Sequence, residues 1–147
     1  YEPDIQFFPE GTKTASDAAA AVGCDVAQIV KSLVFMAENQ PILLLVSGKN
    51  KVDEGKIKLL LKVATCDMAK PEIVRSYTGF AIGGTPPFGH TQYIRTIMDE
   101  DLTTFDEVWA AAGTPNSCFP ISPTELLRIA GATLATVKLA NSENSEE

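Results

Sequence analysis

Histidine is nearly missing from this chain: His90 is the one histidine in 147 residues. A single imidazole cannot assemble the usual histidine-rich zinc site, so metal-assisted catalysis is not expected. Cysteine is also scarce. Cys24, Cys66 and Cys118 are odd in number and 42 and 52 positions apart, a pattern that fits neither a disulfide framework nor a CxxC pair. A reducing, cytoplasmic setting is therefore expected. No apolar run approaches the roughly 18 to 20 residues of a membrane-spanning helix, and the first residues lack a basic stretch followed by an apolar core. Neither membrane attachment nor export is expected. Also missing is a GxGxxG or GxxxxGK[ST] loop after a strand.

What is present suits an ordinary globular domain, with 45% apolar and 21% charged residues. One domain is expected over residues 1–140, followed by NSENSEE at 141–147, a polar, acidic tail expected to be disordered. The net charge of -7 argues against a large nucleic-acid footprint, but it is uneven. Between positions 31 and 95 nine Lys or Arg stand against five acids, a local excess of +4, while the remainder carries -11. A basic face holding a few phosphates is compatible with that asymmetry, as is ordinary charge mixing on a solvated surface.

Along the chain, YEPDIQFFPEG reads as an irregular arm packed by Ile5, Phe7 and Phe8. TASDAAAAVG predicts a helix capped by Thr14 or Ser16 and ended by Gly23. IVKSLVFM (29–36) and PILLLV (41–46) predict a hairpin with a fully buried central strand. Helices are expected over VDEGKIKLLLKVA, with Asp53 as a cap, and over PEIVRSYTG, with Pro71 in its first turn. SPTELLRIAG adds a helix with Ser122 as N-cap and Glu125 completing a capping box. FAIGG, YIRTIMD, DEVWAAAG and ATLATVKL are expected as strands. The irregular interleaving predicts an α+β fold, a mixed, barrel-like curved sheet with helices outside.

Three features carry chemistry. In GFAIGGTPPFGH (79–90), Gly83 and Gly84 let a ligand approach the backbone, Pro86 and Pro87 fix the loop's shape, and Gly89 permits a reversal. His90 follows as a general base, a hydrogen-bond donor or a polar residue closing the turn. Lys31 interrupts an apolar strand, either snorkelling from an edge or reaching into a cleft where its ammonium meets a phosphate or an ester carbonyl. SGKNKVD places Lys49 and Lys51 about Asn50, a phosphate contact if that turn shares a face with Lys31.

IVKS, VSGKNKVD, GGTPPFGH and AAGTPNSCFPISPTELLRIAG occur in the order found in the YbaK/ProX family of aminoacyl-tRNA editing domains, and the chain resembles that family over residues 12 to 139. The resemblance implies a deacylase that cleaves a wrong amino acid, such as alanine or cysteine, from the 3′-terminal adenosine of tRNA for proline, a hydrolysis that demands no metal or organic cofactor. It also implies a site with Lys31, Gly84 and His90 as catalytic positions. Gly83, Pro86, Pro87, Gly89, Gly113 and Cys118 would bind the amino acid, and Lys49 and Lys51 the tRNA. The cysteine-removing branch typically carries a Ser-Gly-Gly-Lys-Arg-Gly type of sequence where this chain reads AAGTPNS. The implied partner is misacylated tRNA, with a synthetase or elongation factor supplying further tRNA affinity. A non-catalytic module binding a tRNA 3′ end or a nucleotide in the same cleft is the alternative.

Overall fold

The computed structural model describes residues 2–140, so the expected tail at 141–147 lies outside the described residues. A mixed eight-stranded sheet carries four α-helices. Its centre is the hairpin of β2 (Ile29–Ala37) and β3 (Gln40–Ser47), turning on Glu38 and Asn39 and in register from Ala37 opposite Gln40 to Val30 opposite Ser47. The expectation of a fully buried strand holds: Leu43, Leu44, Leu45 and Val46 are each 0% exposed. Leu43 and Leu45 join one core with Val74, Leu102 and Leu126, while Ile42, Leu44 and Val46 join another with Ile57 and Val137. Successive side chains of a strand point to opposite faces, so an unbroken apolar run needs cover on both.

That cover comes from helices whose ends are written locally. In α1 (Ala15–Val22) the Thr14 hydroxyl, rather than Ser16, accepts the Asp17 N–H at 3.0 Å, and Gly23 closes the helix at φ 79°. Asp53 caps α2 (Glu54–Leu61), and Pro71 opens α3 (Pro71–Thr78). Ser122 caps α4 (Pro123–Ala130) through the Glu125 N–H. The reciprocal half of that expected capping box does not form, because the Glu125 carboxylate is drawn to Arg128 at 2.5 Å. A two-way box forms instead at Asp25 and Gln28, just before β2.

Other expectations are corrected. The arm forms a two-residue strand, β1 (Gln6–Phe7), paired with Ser117 and Cys118; Ile5 and Phe7 are exposed, and Phe8 alone of the three packs inward. FAIGG is a turn rather than a strand, since Gly83 takes φ 91° and the Gly84 N–H folds back onto the Ala81 carbonyl at 3.1 Å. Two short strands join the expected ones, β4 (Cys66–Met68) and β7 (Ser117–Ile121). β5 (Arg95–Asp99), β6 (Val108–Ala111) and β8 (Thr133–Ala135) fall within predicted segments, β8 ending well short of Leu139.

Strand order is β1-β7-β6-β2-β3-β5-β8, with β4 also against β2. One edge of β2 is thus shared. β6 runs parallel to it only at Ile29 and Val30, and β4 antiparallel only from Phe35 to Ala37. Between them the sheet opens.

Candidate functional site

A cavity of about 400 Å³ sits at that opening. Its floor is β2 from Ile29 to Leu33, and its walls come from the segment Thr12–Ala15 with Ala18, from Ile82, Gly83 and Thr85, and from β6 with Cys118. The volume is that of a small-molecule site, and the lining is mostly apolar with a few polar groups, as such sites require. Among the described residues no Asp or Glu lines it, and Lys31 and Lys13 are the charged groups that do.

Lys31 is half-buried, and its Nζ donates to the Asn50 carbonyl oxygen at 2.5 Å. Burial lowers the affinity of its ammonium for the proton below the ordinary value, Asp99 pulling it back up and Lys51 pushing it further down. The turn that supplies the carbonyl is itself fixed. Asn50, 1% exposed, donates through Nδ2 to Asp99 Oδ2 at 2.8 Å and to Asp101 Oδ2 at 2.9 Å. Asp99, also 1% exposed, accepts the Ser47 N–H at 3.1 Å, and Lys138 meets Asp101 at 3.1 Å. Burial alone would raise the Asp101 carboxyl, but the Asn50 amide and the Lys138 ammonium outweigh it and hold the group below its ordinary value. Lys49 and Lys51 are exposed on either side of Asn50, so the SGKN turn does lie beside Lys31.

The facing wall is made of backbone. A Cβ on Gly83 would stand 2.8 Å from Cγ of Lys13, so the bare glycine lets that side chain lie across it. A Cβ on Gly84 would meet the Thr114 backbone at 3.0 Å, which brings the 79–90 loop directly against the β6–β7 connection. Pro86 and Pro87 are buried, and Phe88 sets its ring edge-on to Phe119 with centroids 5.7 Å apart. His90 Nε2 donates to the Pro86 carbonyl at 2.7 Å, locking the loop on itself. An imidazole spent in this way fixes a turn.

Of the residues singled out in the sequence, the structure brings Lys31, Gly83 and Cys118 into the cavity lining. Gly84, Pro86, Pro87, Gly89, His90 and Gly113 do not line it, and Lys49 and Lys51 stand beside the Lys31 tether. The Gly84 N–H is already given to Ala81, so it is not free to meet an oxyanion. Burial pushes the Cys118 thiol up despite a hydrogen bond from Thr12, which keeps it a neutral wall group rather than a thiolate nucleophile. Sequence reading missed Thr12, Lys13, Ser32, Thr85 and Trp109 in the lining, and the Asn50–Asp99–Asp101 cluster behind Lys31. Ser32 had a signal, being the second polar residue inside the same apolar run.

Residues 9–129 match the sequence model of the aminoacyl-tRNA editing domain. The uncharacterized protein YwhH of Bacillus subtilis is 33% identical over 126 residues, covering 85% of this chain and 80% of that protein. A proline–tRNA ligase of Nitratidesulfovibrio vulgaris is 33% identical over 92 residues, 63% of this chain but 16% of the ligase. A crystal structure described as a candidate trans-editing enzyme for prolyl tRNA synthetase superposes with a TM-score of 0.89 at 48% identity, covering 94% of this chain and 87% of its own.

Proposed function

The chain belongs to the aminoacyl-tRNA editing domain family, and on that premise we propose that it is a deacylase acting in trans, hydrolysing the ester between a wrong small amino acid and the 3′-terminal adenosine of tRNA. Alanine or cysteine on tRNA for proline is the proposed substrate class, a reading supported by the likeness to a candidate trans-editing enzyme for prolyl tRNA synthetase. The observation that carries the proposal is Lys31, a half-buried ammonium on the floor of a small-molecule-sized cavity that no carboxylate lines among the described residues. A cation there attracts the partial negative charge that grows on an ester carbonyl as water attacks it, in a setting where water screens poorly. The reaction needs only water as co-reactant.

Ala15, Ala18, Ala110, Ala111 and Cys118 give the cavity small-residue walls. Such walls discriminate by size, admitting a small side chain and refusing a ring that meets them. Lys49 and Lys51 are the proposed contacts for backbone phosphates. With a net charge of -7, the domain should hold the tRNA body weakly and with a shallow salt dependence. The proposed setting is the cytoplasm, where tRNA is charged, and a synthetase or elongation factor would present the substrate.

A panel of tRNA for proline charged with alanine, cysteine, serine or proline tests this. Accelerated loss of the alanyl or cysteinyl ester with the prolyl ester surviving is expected. Binding that leaves every ester's lifetime unchanged would favour a non-catalytic tRNA-end module, and equal loss of the prolyl ester would refute the size argument.

A further inference from the structure

The open edge of β2 gives the cavity a recognition element that no side-chain motif announces. The Gly48 N–H donates to the Ile29 carbonyl at 2.7 Å, so the backbone groups of Ile29, Lys31 and Leu33 face β3. Those of Val30, Ser32 and Val34 therefore face the other way, as the bond from the Ala69 N–H to the Val34 carbonyl confirms at 2.9 Å. On that side β6 stops at Val30 and β4 begins at Phe35. Ser32 presents its N–H and C=O to the gap with no strand opposite, and the gap is the cavity. Its hydroxyl is buried there too, with no hydrogen-bond partner among the described residues. Lys31 and Ser32 alternate to opposite faces of the strand, yet both line the cavity, as expected of a site wrapped around an exposed edge.

A buried polar group left unmatched is costly, and at Ser32 the hydroxyl stands beside a main-chain N–H and C=O that no strand pairs. An aminoacyl ester carries one amino acid's worth of complementary groups, an amine that donates and a carbonyl that accepts. We propose that the aminoacyl group of the substrate pairs with the β2 edge at Ser32 as a one-residue strand. Its α-amino group donates to the Ser32 carbonyl oxygen and Oγ, and its ester carbonyl accepts the Ser32 N–H. This is strand addition at its smallest scale, backbone giving affinity while neighbouring walls read the side chain. It also supplies an acceptor for the amine in a cavity that no carboxylate lines among the described residues. The inference rests on the deacylase reading and names how that site holds its substrate.

The test measures binding of 3′-alanylamino-3′-deoxyadenosine, whose amide resists hydrolysis, and of its 3′-propionylamino counterpart, which lacks the α-amino group. The wild-type protein should prefer the alanyl compound by about tenfold, the scale of hydrogen bonds to a charged group. Ser32→Ala should weaken the alanyl compound by about fivefold and leave the propionyl compound unchanged. Equal weakening of both compounds, or of neither, overturns the inference while alanyl-tRNA hydrolysis by the wild type still stands. Ser32→Pro removes the outward N–H without touching the β3 ladder and should lower kcat about a hundredfold. A folded Ser32→Pro variant with wild-type kcat also overturns it, and if that variant does not fold the alanine pair decides. A wild type that binds neither compound and leaves alanyl-tRNA intact removes the deacylase reading and this inference together.

Discussion

On one side of the cavity Lys31 is held by groups from separate segments of the chain; on the other, the 79–90 loop contributes backbone and little side-chain chemistry. The Lys31 side is a hydrogen-bonded hub in which Asn50 reaches Asp99 and Asp101 across 49 and 51 positions of sequence. The loop side is shaped by what is missing: a Cβ at Gly83 beneath Lys13 and a Cβ at Gly84 against Thr114. The contrast separates two tasks. A charge must be positioned by partners, because a buried ammonium without them would deprotonate or turn away to water. A shape needs only close packing and stiff backbone, which Pro86, Pro87 and the Phe88–Phe119 contact provide. Substitutions in the hub should therefore alter rate together with its electrostatics, and those in the loop should alter shape and stability.

The largest expected effect breaks the hub at its centre. Lys31→Ala should lower the deacylation rate about a hundredfold to a thousandfold, the scale of losing one preorganised charge-stabilising group, while its melting temperature stays near that of the wild type. Asn50→Ala comes next. It strips Asp99 of its amide partner in a buried setting and should cost about 1 to 3 kcal/mol in chemical denaturation, with a measurable fall in rate because the Lys31 tether loosens.

Gly84→Ala tests the other wall. Its new methyl group must displace the Thr114 backbone, which should cost about 1 to 3 kcal/mol and change which aminoacyl esters are accepted. A variant with unaltered stability and selectivity would contradict the close packing of the two connections. A smaller effect belongs to pH. The Asp101 carboxyl lies below its ordinary value of 3.8, so its contribution to stability is complete above that value and is lost as pH falls through the lower folded value. Acid unfolding of Asp101→Asn should show a shallower dependence in that window. The smallest is His90→Gln, whose amide can still donate to the Pro86 carbonyl. It should stay within about 0.5 kcal/mol of wild-type stability and retain deacylation, whereas a lost rate in a folded variant would restore His90 as a chemical participant.

The same contrast explains what could be read in advance. The helix ends at Thr14, Asp53, Pro71 and Ser122 were legible because capping is a matter of residues three or four apart. The β2–β3 hairpin was legible because an apolar run broken by AENQ has few other uses. GFAIGGTPPFGH was conspicuous for composition, yet composition did not say which of its residues face the cavity. Pro86, Pro87 and His90 do not line the cavity, and His90 bonds back to Pro86, while Gly83 and Thr85 do line it. The hub stayed hidden because Asn50, Asp99 and Asp101 look like turn and cap residues until the sheet brings them together. β4 is three residues long and owes its strand form to β2, and β7 contains Pro120, which reads as a break but pairs with Trp109. The gap at Ser32 was out of reach for the same reason, being defined by where two other strands stop.

The central claim is that this cavity hydrolyses an aminoacyl ester through Lys31, and a single-turnover comparison addresses it directly. Alanyl-tRNA for proline is mixed with excess wild-type protein or excess Lys31→Ala, and the ester's lifetime is followed against buffer alone. Rapid loss with the wild type and a near-buffer lifetime with the folded variant is the predicted result. Equal lifetimes in all three mixtures, or equal acceleration by both proteins, would contradict it.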